Sequence, residues 1–458
     1  MALQLPIAVT VKDGLTVRVG RPCFNRPEDS TMLPEGWKRF ALSDLAKLER
    51  GRFSVRPRND PRYFSGAVPF VQTGDVAHAG IFLDKFSQTL NERGLLVSKQ
   101  FPAGTILMTI AANIGATAIT RFPVACPDSV VGITPIKERS DTCWLKYALD
   151  MLQPELDGMA GQNAQKNINL QVLDVLEILT PPSHEQQAIG QCLLVWDNAI
   201  AVVEKLLANS QKQRLALLGA TLKLAPSNNE DVEKADNGGY PASVQPGIPA
   251  LPATPGDWQR TPLNRHLHEA RRPVGLQPER QYTLVTVKRS RGGVQEREVL
   301  PGSEIKTPTQ FQVNAGDFLI SKRQIVHGAC GIVPPELDGA IVSNEYAVLN
   351  SDGEIDLKFL RYLSESRYFQ QTCFHSSIGV HVEKMIFKTE RWLSWPFNIP
   401  PLQQQRRIVE ILDAATAETE LMAKQLDALK QEKRALMAQL LTGKRRVRMD
   451  DQTMKGQP

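Results

Sequence analysis

The sequence predicts an α+β chain with a pseudo-twofold tandem duplication. Two globular α/β domains are separated and joined by two long antiparallel helices that form a coiled coil. Three observations predict this. The stretch "TPPSHEQQAIGQCL" (180–193) returns 219 positions later, without a gap, as "IPPLQQQRRIVEIL" (399–412). Both copies then step through apolar residues in heptads. The regions ahead of each copy share a further set of short matches. A length of 458 residues also suits two to four domains better than one.

Residues 1–32 read as a loosely ordered tail. The first domain spans 33–182 and the second 253–401. "LPEGWKRFAL" (33–42) and "TPGDWQRTPL" (254–263) set Trp37 against Trp258 as framework residues. "FPAGTILMTIAANIGATAI" (101–119) and "VNAGDFLISKRQIVHGACGIV" (313–333) each predict a strand pair after an Ala-Gly turn. "WLKYAL" (144–149) and "FLRYLS" (359–364) each predict a short helix. Each domain closes on a glycine-containing stretch, 161–182 and 379–401.

The long helices are expected over 183–222 and 402–443. At about 1.5 Å per residue, some 40 residues make a rod of about 60 Å. Each starts behind a Pro-Pro pair (Pro181 and Pro182, Pro400 and Pro401), a residue type tolerated in a first turn. Gly443 is a natural stop, and the basic residues after it suit the negative end of the helix dipole. The helix-helix seam reads Ile189, Leu193, Trp196, Ile200, Val203 and Leu207 in one copy. It reads Ile408, Leu412, Met422, Leu426 and Leu429 in the other. A one-residue insertion would swing such a stripe by about 100°, which accounts for the gapless match. Arg214 and Lys433 fall at one repeat position on the seam, where a polar residue can fix register. The stretch 223–252, rich in Pro, Gly, Asn and acid, reads as a linker, and 444–458 as a tail.

Composition excludes several classes. There is no run of 18 apolar residues to cross a membrane, and the start lacks a signal-peptide layout. Six scattered cysteines without a C-x-x-C pair fit reduced thiols and a cytoplasmic location. No phosphate-binding G-x-x-x-x-G-K-[ST] loop and no G-x-G-x-x-G occurs. "NIPPL" (398–402) lacks the aromatic residue and uninterrupted Asn-Pro-Pro of a base-holding methyltransferase site. "CPDSVVG" (126–132) lacks the E-x-K that would complete a nuclease metal site, so Asp128 reads as a turn residue. His266 and His268 form a close pair without a third ligand at metal spacing. Ser129 or Cys126 with a distant histidine is no nucleophile signal. No catalytic and no metal residue is therefore expected.

The net charge of +5 is mild, so clustering matters more. Arg50, Arg52, Arg56, Arg58 and Arg62 crowd one stretch of the first domain, interleaved with Phe53, Tyr63 and Phe64. Lys288, Arg289 and Arg291 crowd "VKRSRGG" in the second, followed by Lys322 and Arg323. Guanidinium forks suit phosphates and guanine edges. These clusters lie where the two domains differ, so they are the candidate DNA-binding residues.

With these features the chain resembles the specificity (S) subunit of Type I restriction-modification enzymes. The resemblance rests on "LPEGWKRFALSDL" (33–45), "LTPPSHEQQAIGQCLLVWDNAIAVVEKLL" (179–207), "IPPLQQQRRIVEILDAA" (399–415) and "LMAQLLTGKRR" (436–446), and covers roughly 33–446. The P-P-x-x-x-Q-x-x-I signature occurs twice. Departures are residues 1–32, Gly190 where the second copy has Val409, and His184 and Glu185 in the first turn. The family implies two target recognition domains, each reading half of a split, asymmetric double-stranded DNA site. Its helices set the spacer and dock two methylation (M) subunits, with restriction (R) subunits in the full complex and no membrane. It also implies no bound cofactor in this chain. S-adenosylmethionine, ATP and Mg are expected on the partner subunits. The alternative is a coiled-coil scaffold with two docking modules and no DNA contact. Service to a fused-type restriction enzyme is a third possibility.

Overall fold

A computed structural model describes residues 33–160, 167–224 and 247–447. The expected tail 1–32, the linker from 225 to 246, the opening 161–166 of the first closing stretch, and 448–458 of the second tail lie outside the described residues. Two compact units emerge: residues to 204 with those from 425, and residues 205–424. Each is described alone.

Both long helices run for 39 residues, Ser183–Thr221 and Leu402–Leu440. The second ends in a turn at Gly443, whose φ of +70° favours glycine. A side chain there would also press on Pro34, 2.4 Å from the nearest ring carbon.

In the first unit, Lys38–Ala41 pairs with Glu177–Thr180; in the second, Gln259–Pro262 pairs with Pro396–Ile399 in the same register. A sheet follows in the order Ala46–Arg50, Val130–Pro135, Ile106–Thr109, Thr117–Thr120, with Phe82–Leu83 added at its edge. The second unit repeats four of these as Leu267–Glu269, Tyr346–Ser351, Phe318–Ser321 and Cys330–Ile332. The hairpins expected after the Ala-Gly turns are the last two strands of each repeated set. Each unit also has a second sheet with one parallel pairing at its centre, Phe64–Phe70 with Val124–Cys126 and Gln281–Val287 with Ile341–Ser343.

Of the two short helices expected, the second is found at Leu357–Leu363 and the first needs correction. In the first unit the helix runs from Thr142 to Ala160, 19 residues. In the second it stops at Leu363 and restarts as Arg367–His375, because the Ser366 hydroxyl accepts from Phe369 N and caps a new start. With Tyr147 laid on Tyr362, the first unit has Leu149 and Met151 where the second has Ser364 and Ser366, so no cap interrupts it.

Candidate nucleic-acid interface

The frame beneath the candidate surface is built by the repeat signature. Gln186 is buried; its Oε1 accepts from Asp141 N at 2.8 Å, and its Nε2 donates to Arg139 O and Pro181 O. Gln405 does the same with Asp356 N, Glu354 O and Pro400 O. One amide thus fixes each helix start to its domain by satisfying three backbone groups. Trp37 Nε1 donates to Glu185, and Trp258 Nε1 to Gln404, one position earlier in each copy. Glu185 is buried and also takes Arg446 Nε at 2.6 Å, which gives the "GKRR" segment a structural task.

Of the seam residues, Ile189, Leu193, Ile200, Ile408, Leu412 and Leu426 are buried; Trp196, Val203, Leu207, Met422 and Leu429 are half-buried. Within the first unit the helices meet antiparallel: Ile189 and Leu193 share a core with Leu436 and Leu440, and Lys433 Nζ reaches Asp197 at 2.6 Å. Within the second, Leu218 and Leu222 pack with Ile408 and Leu412, and Arg214 Nε donates to Thr416 at 3.0 Å. Residues 197 and 416 are themselves one repeat apart, so the polar pair recurs. Arg214 also clasps buried Glu365 at 2.6 and 2.8 Å. Burial, and next the hydrogen bond to Asp197, hold the Tyr147 hydroxyl protonated far above its usual range. Burial and Asp413 push Tyr362 up to about 12.

The first basic cluster is a loop pinned from below. Phe53 is core, packed on Phe64 and Phe70 at centroid distances of 5.7 and 4.9 Å. The interleaved aromatics therefore anchor the loop instead of forming an exposed stacking platform; Tyr63 and Phe64 are half-buried against the same cluster. The five arginines all lie exposed. Asp128, expected as a plain turn residue, organises two of them: Arg50 Nε donates to its carbonyl at 2.5 Å, and Arg58 Nη2 to both carboxylate oxygens at 2.9 Å. Arg62 forks onto Asp60, whose carboxyl it holds below the usual range, first through its side-chain hydrogen bonds. Arg52 and Arg56 rest on backbone carbonyls of Ser98 and Val55. Arg58 and Asp128 are both open to solvent, and an exposed pair of this kind is worth under about 1 kcal/mol, so a phosphate can replace the Asp128 carboxylate at little cost.

The second cluster divides. Lys288 and Arg289 are exposed on a hairpin turn in which Ser290 and Arg291 take φ of 52° and 58°. That strained turn carries Arg291 inward: it is half-buried, and its Nε donates to Ser364 O at 3.0 Å, which ties it to the framework. Lys322 is half-buried, on Asn344 O at 3.1 Å, whereas Arg323 is exposed and paired with Glu345. The hairpin Ser377–Phe387, overlooked in the sequence, stands beside these loops. Its signal was the apolar alternation in "IGVHVEKMIF".

Among the described residues no group of three or more His, Cys, Asp or Glu is gathered as a metal site, and His266 is turned to Asp352 at 3.1 Å. Burial raises the thiols of Cys126, Cys330 and Cys373. Among the described residues no helix is long and apolar enough to cross a membrane.

The family model of the Type I restriction modification DNA specificity domain matches twice, over residues 34–209 and 286–431. The chain belongs to this family. As a Type I specificity subunit it carries two target recognition domains. The HindI specificity subunit of Haemophilus influenzae is 28% identical over 185 residues, which spans 39% of this chain and only 38% of that one. The MjaVIII specificity subunit of Methanocaldococcus jannaschii is 20% identical over 436 residues, 91% of this chain and 94% of that one. The crystal structure of a Type I S subunit from M. genitalium matches the fold with a TM-score of 0.55 at 14% identity, covering 89% of this chain and 99% of that one.

Proposed function

We propose that the chain reads DNA for a Type I restriction-modification complex and catalyses nothing itself. Each domain reads one half of a bipartite double-stranded site, and the unlike surfaces make that site asymmetric. The observation that carries this reading is the contrast within the duplication. Helix grips are repeated residue for residue, while the exposed cations differ in position and setting. A scaffold without DNA contact would have no use for five exposed arginines on one pinned loop. Two methylation subunits dock on the helices, and restriction subunits join the full complex. S-adenosylmethionine, ATP and Mg act on those partners, and the complex works in the cytoplasm.

Helix length then sets the unread spacer. Inserting four residues near 207 and four near 426 lengthens each rod by about 6 Å, on the order of two base steps of B-DNA at about 3.4 Å each. Mapping of methylated adenines is expected to return the same two half-sites with a longer gap. An unchanged gap would sink the spacer role.

A further inference from the structure

In the second domain three loops distant in sequence are tied into one surface. Ser290 N donates to His327 O at 2.7 Å, Arg291 N to Gly328 O at 2.9 Å, and Phe387 N to Lys322 O at 2.9 Å. Glu383 adds side-chain links, to Arg289 Nη2 at 3.0 Å and, within ion-pair distance, to His327 Nε2 at 3.2 Å. The turn 288–293, the loop 322–328 and the hairpin 377–387 are therefore each bonded to the others.

The hairpin is rooted and bare. Met385 and Phe387 sit in the domain's core, and the strands pair Ser377 with Phe387 and Ile378 with Ile386. On the outer face Ile378 is 55% exposed, and Val380 at the tip 95%. Exposed apolar groups gathered on a tip mark a recognition surface. Around them stand exposed Lys384, Lys388, Lys288, Arg289 and Arg323. Positive charge gathered around an apolar tip fits a polyanionic partner. It suits a duplex. The major groove admits a two-stranded ribbon, phosphates flank it on both sides, and the thymine methyl offers an apolar contact inside.

We propose that the 377–387 hairpin is a reading element that lays Val380, with Ile378 behind it, against thymine methyl groups in the major groove, while the surrounding cations hold the flanking phosphates. Glu383 neutralises Arg289 in the free protein and yields it to phosphate on binding. This rests on the DNA-reading role proposed above.

The test uses the full chain in complex with its methylation subunits. A random-sequence duplex library is selected on the wild-type complex, and the enriched duplex is labelled. Val380→Ser is expected to weaken that duplex about tenfold, the size of one lost base contact. Binding of a scrambled duplex, and the slope of affinity against salt, stay as in wild type, because no phosphate contact is lost. Reselection on the variant blurs thymine positions in one half of the motif, and Val380→Ile retains them. Leu96→Ser, which removes an 81%-exposed side chain from the other domain, changes none of these. A wild-type affinity ratio in Val380→Ser overturns the proposal. So does a loss that tracks loss of methylation subunits on purification, which would make the hairpin a protein-docking site. A wild-type complex that enriches no motif sinks the DNA-reading role itself.

Discussion

In the first unit Gln186 binds three backbone groups, two just ahead of the helix from Thr142 and one at the entry to the long helix; in the second Gln405 binds their counterparts at nearly the same distances. Move outward and the likeness stops. The first unit presents arginines on a loop nailed down by Phe53, the second presents cations around an apolar hairpin. Duplicated packing leaves little freedom, since a buried amide that loses partners costs about 1–3 kcal/mol. An exposed loop has no such constraint, so the copies can diverge there without losing the frame.

The seam offers the sharpest way to break this comparison. Arg214 and Lys433 are repeat partners, but Glu365 beneath Arg214 is fully buried, while Asp197 beneath Lys433 is partly open and also held by Tyr147. Arg214→Ala takes a two-pronged guanidinium partner from the buried Glu365 carboxylate and should cost about 3 kcal/mol. Lys433→Ala should cost about half that. Urea unfolding of both variants checks the ranking, and equal losses would contradict it.

Next comes a break in the helix repeat, Gly190 against Val409. A side chain at 190 would stand 2.9 Å from Trp144 N and from Asp141 Oδ1, where the helix from Thr142 begins. Gly190→Val should destabilise by about 1–3 kcal/mol through overpacking, although the change favours helix in isolation. A neutral or stabilising result would show that the approach is looser than described.

Smallest in stability, but telling for function, is the removal of Arg50 and Arg58 together. Both are exposed, so the fold should hold within about 0.5 kcal/mol. DNA binding of the complex should weaken across all sequences, with the log-log salt slope falling by about one to two. An unchanged slope would remove these arginines from the contact surface.

Much of the frame was legible because packing writes a period. The gapless heptads at Ile189, Leu193 and Ile408, Leu412 could only be buried stripes on long helices, and the Pro-Pro entries fixed where they start. Nothing in "PPSHEQ" says that its glutamine is a buried bracket, because Arg139 and Asp141, its partners, arrive from 45 or more residues away. The surface was half legible for the same reason. Charge clusters are visible in sequence, but Asp128, which organises Arg50 and Arg58, lies 70 or more positions downstream. Arg291 reads like its neighbours, and only the backbone of its turn carries it inward. The hairpin at Val380 was missed because isolated apolar residues near a helix read as core.

The central claim is that two unlike readers share one duplicated frame. Long-read mapping of methylated adenines, in cells with and without this gene, tests it most directly. The account predicts a split motif with two short, different halves and a fixed run of unspecified bases between, lost when the gene is removed. A contiguous or palindromic motif, or a methylation pattern indifferent to the gene, would contradict it.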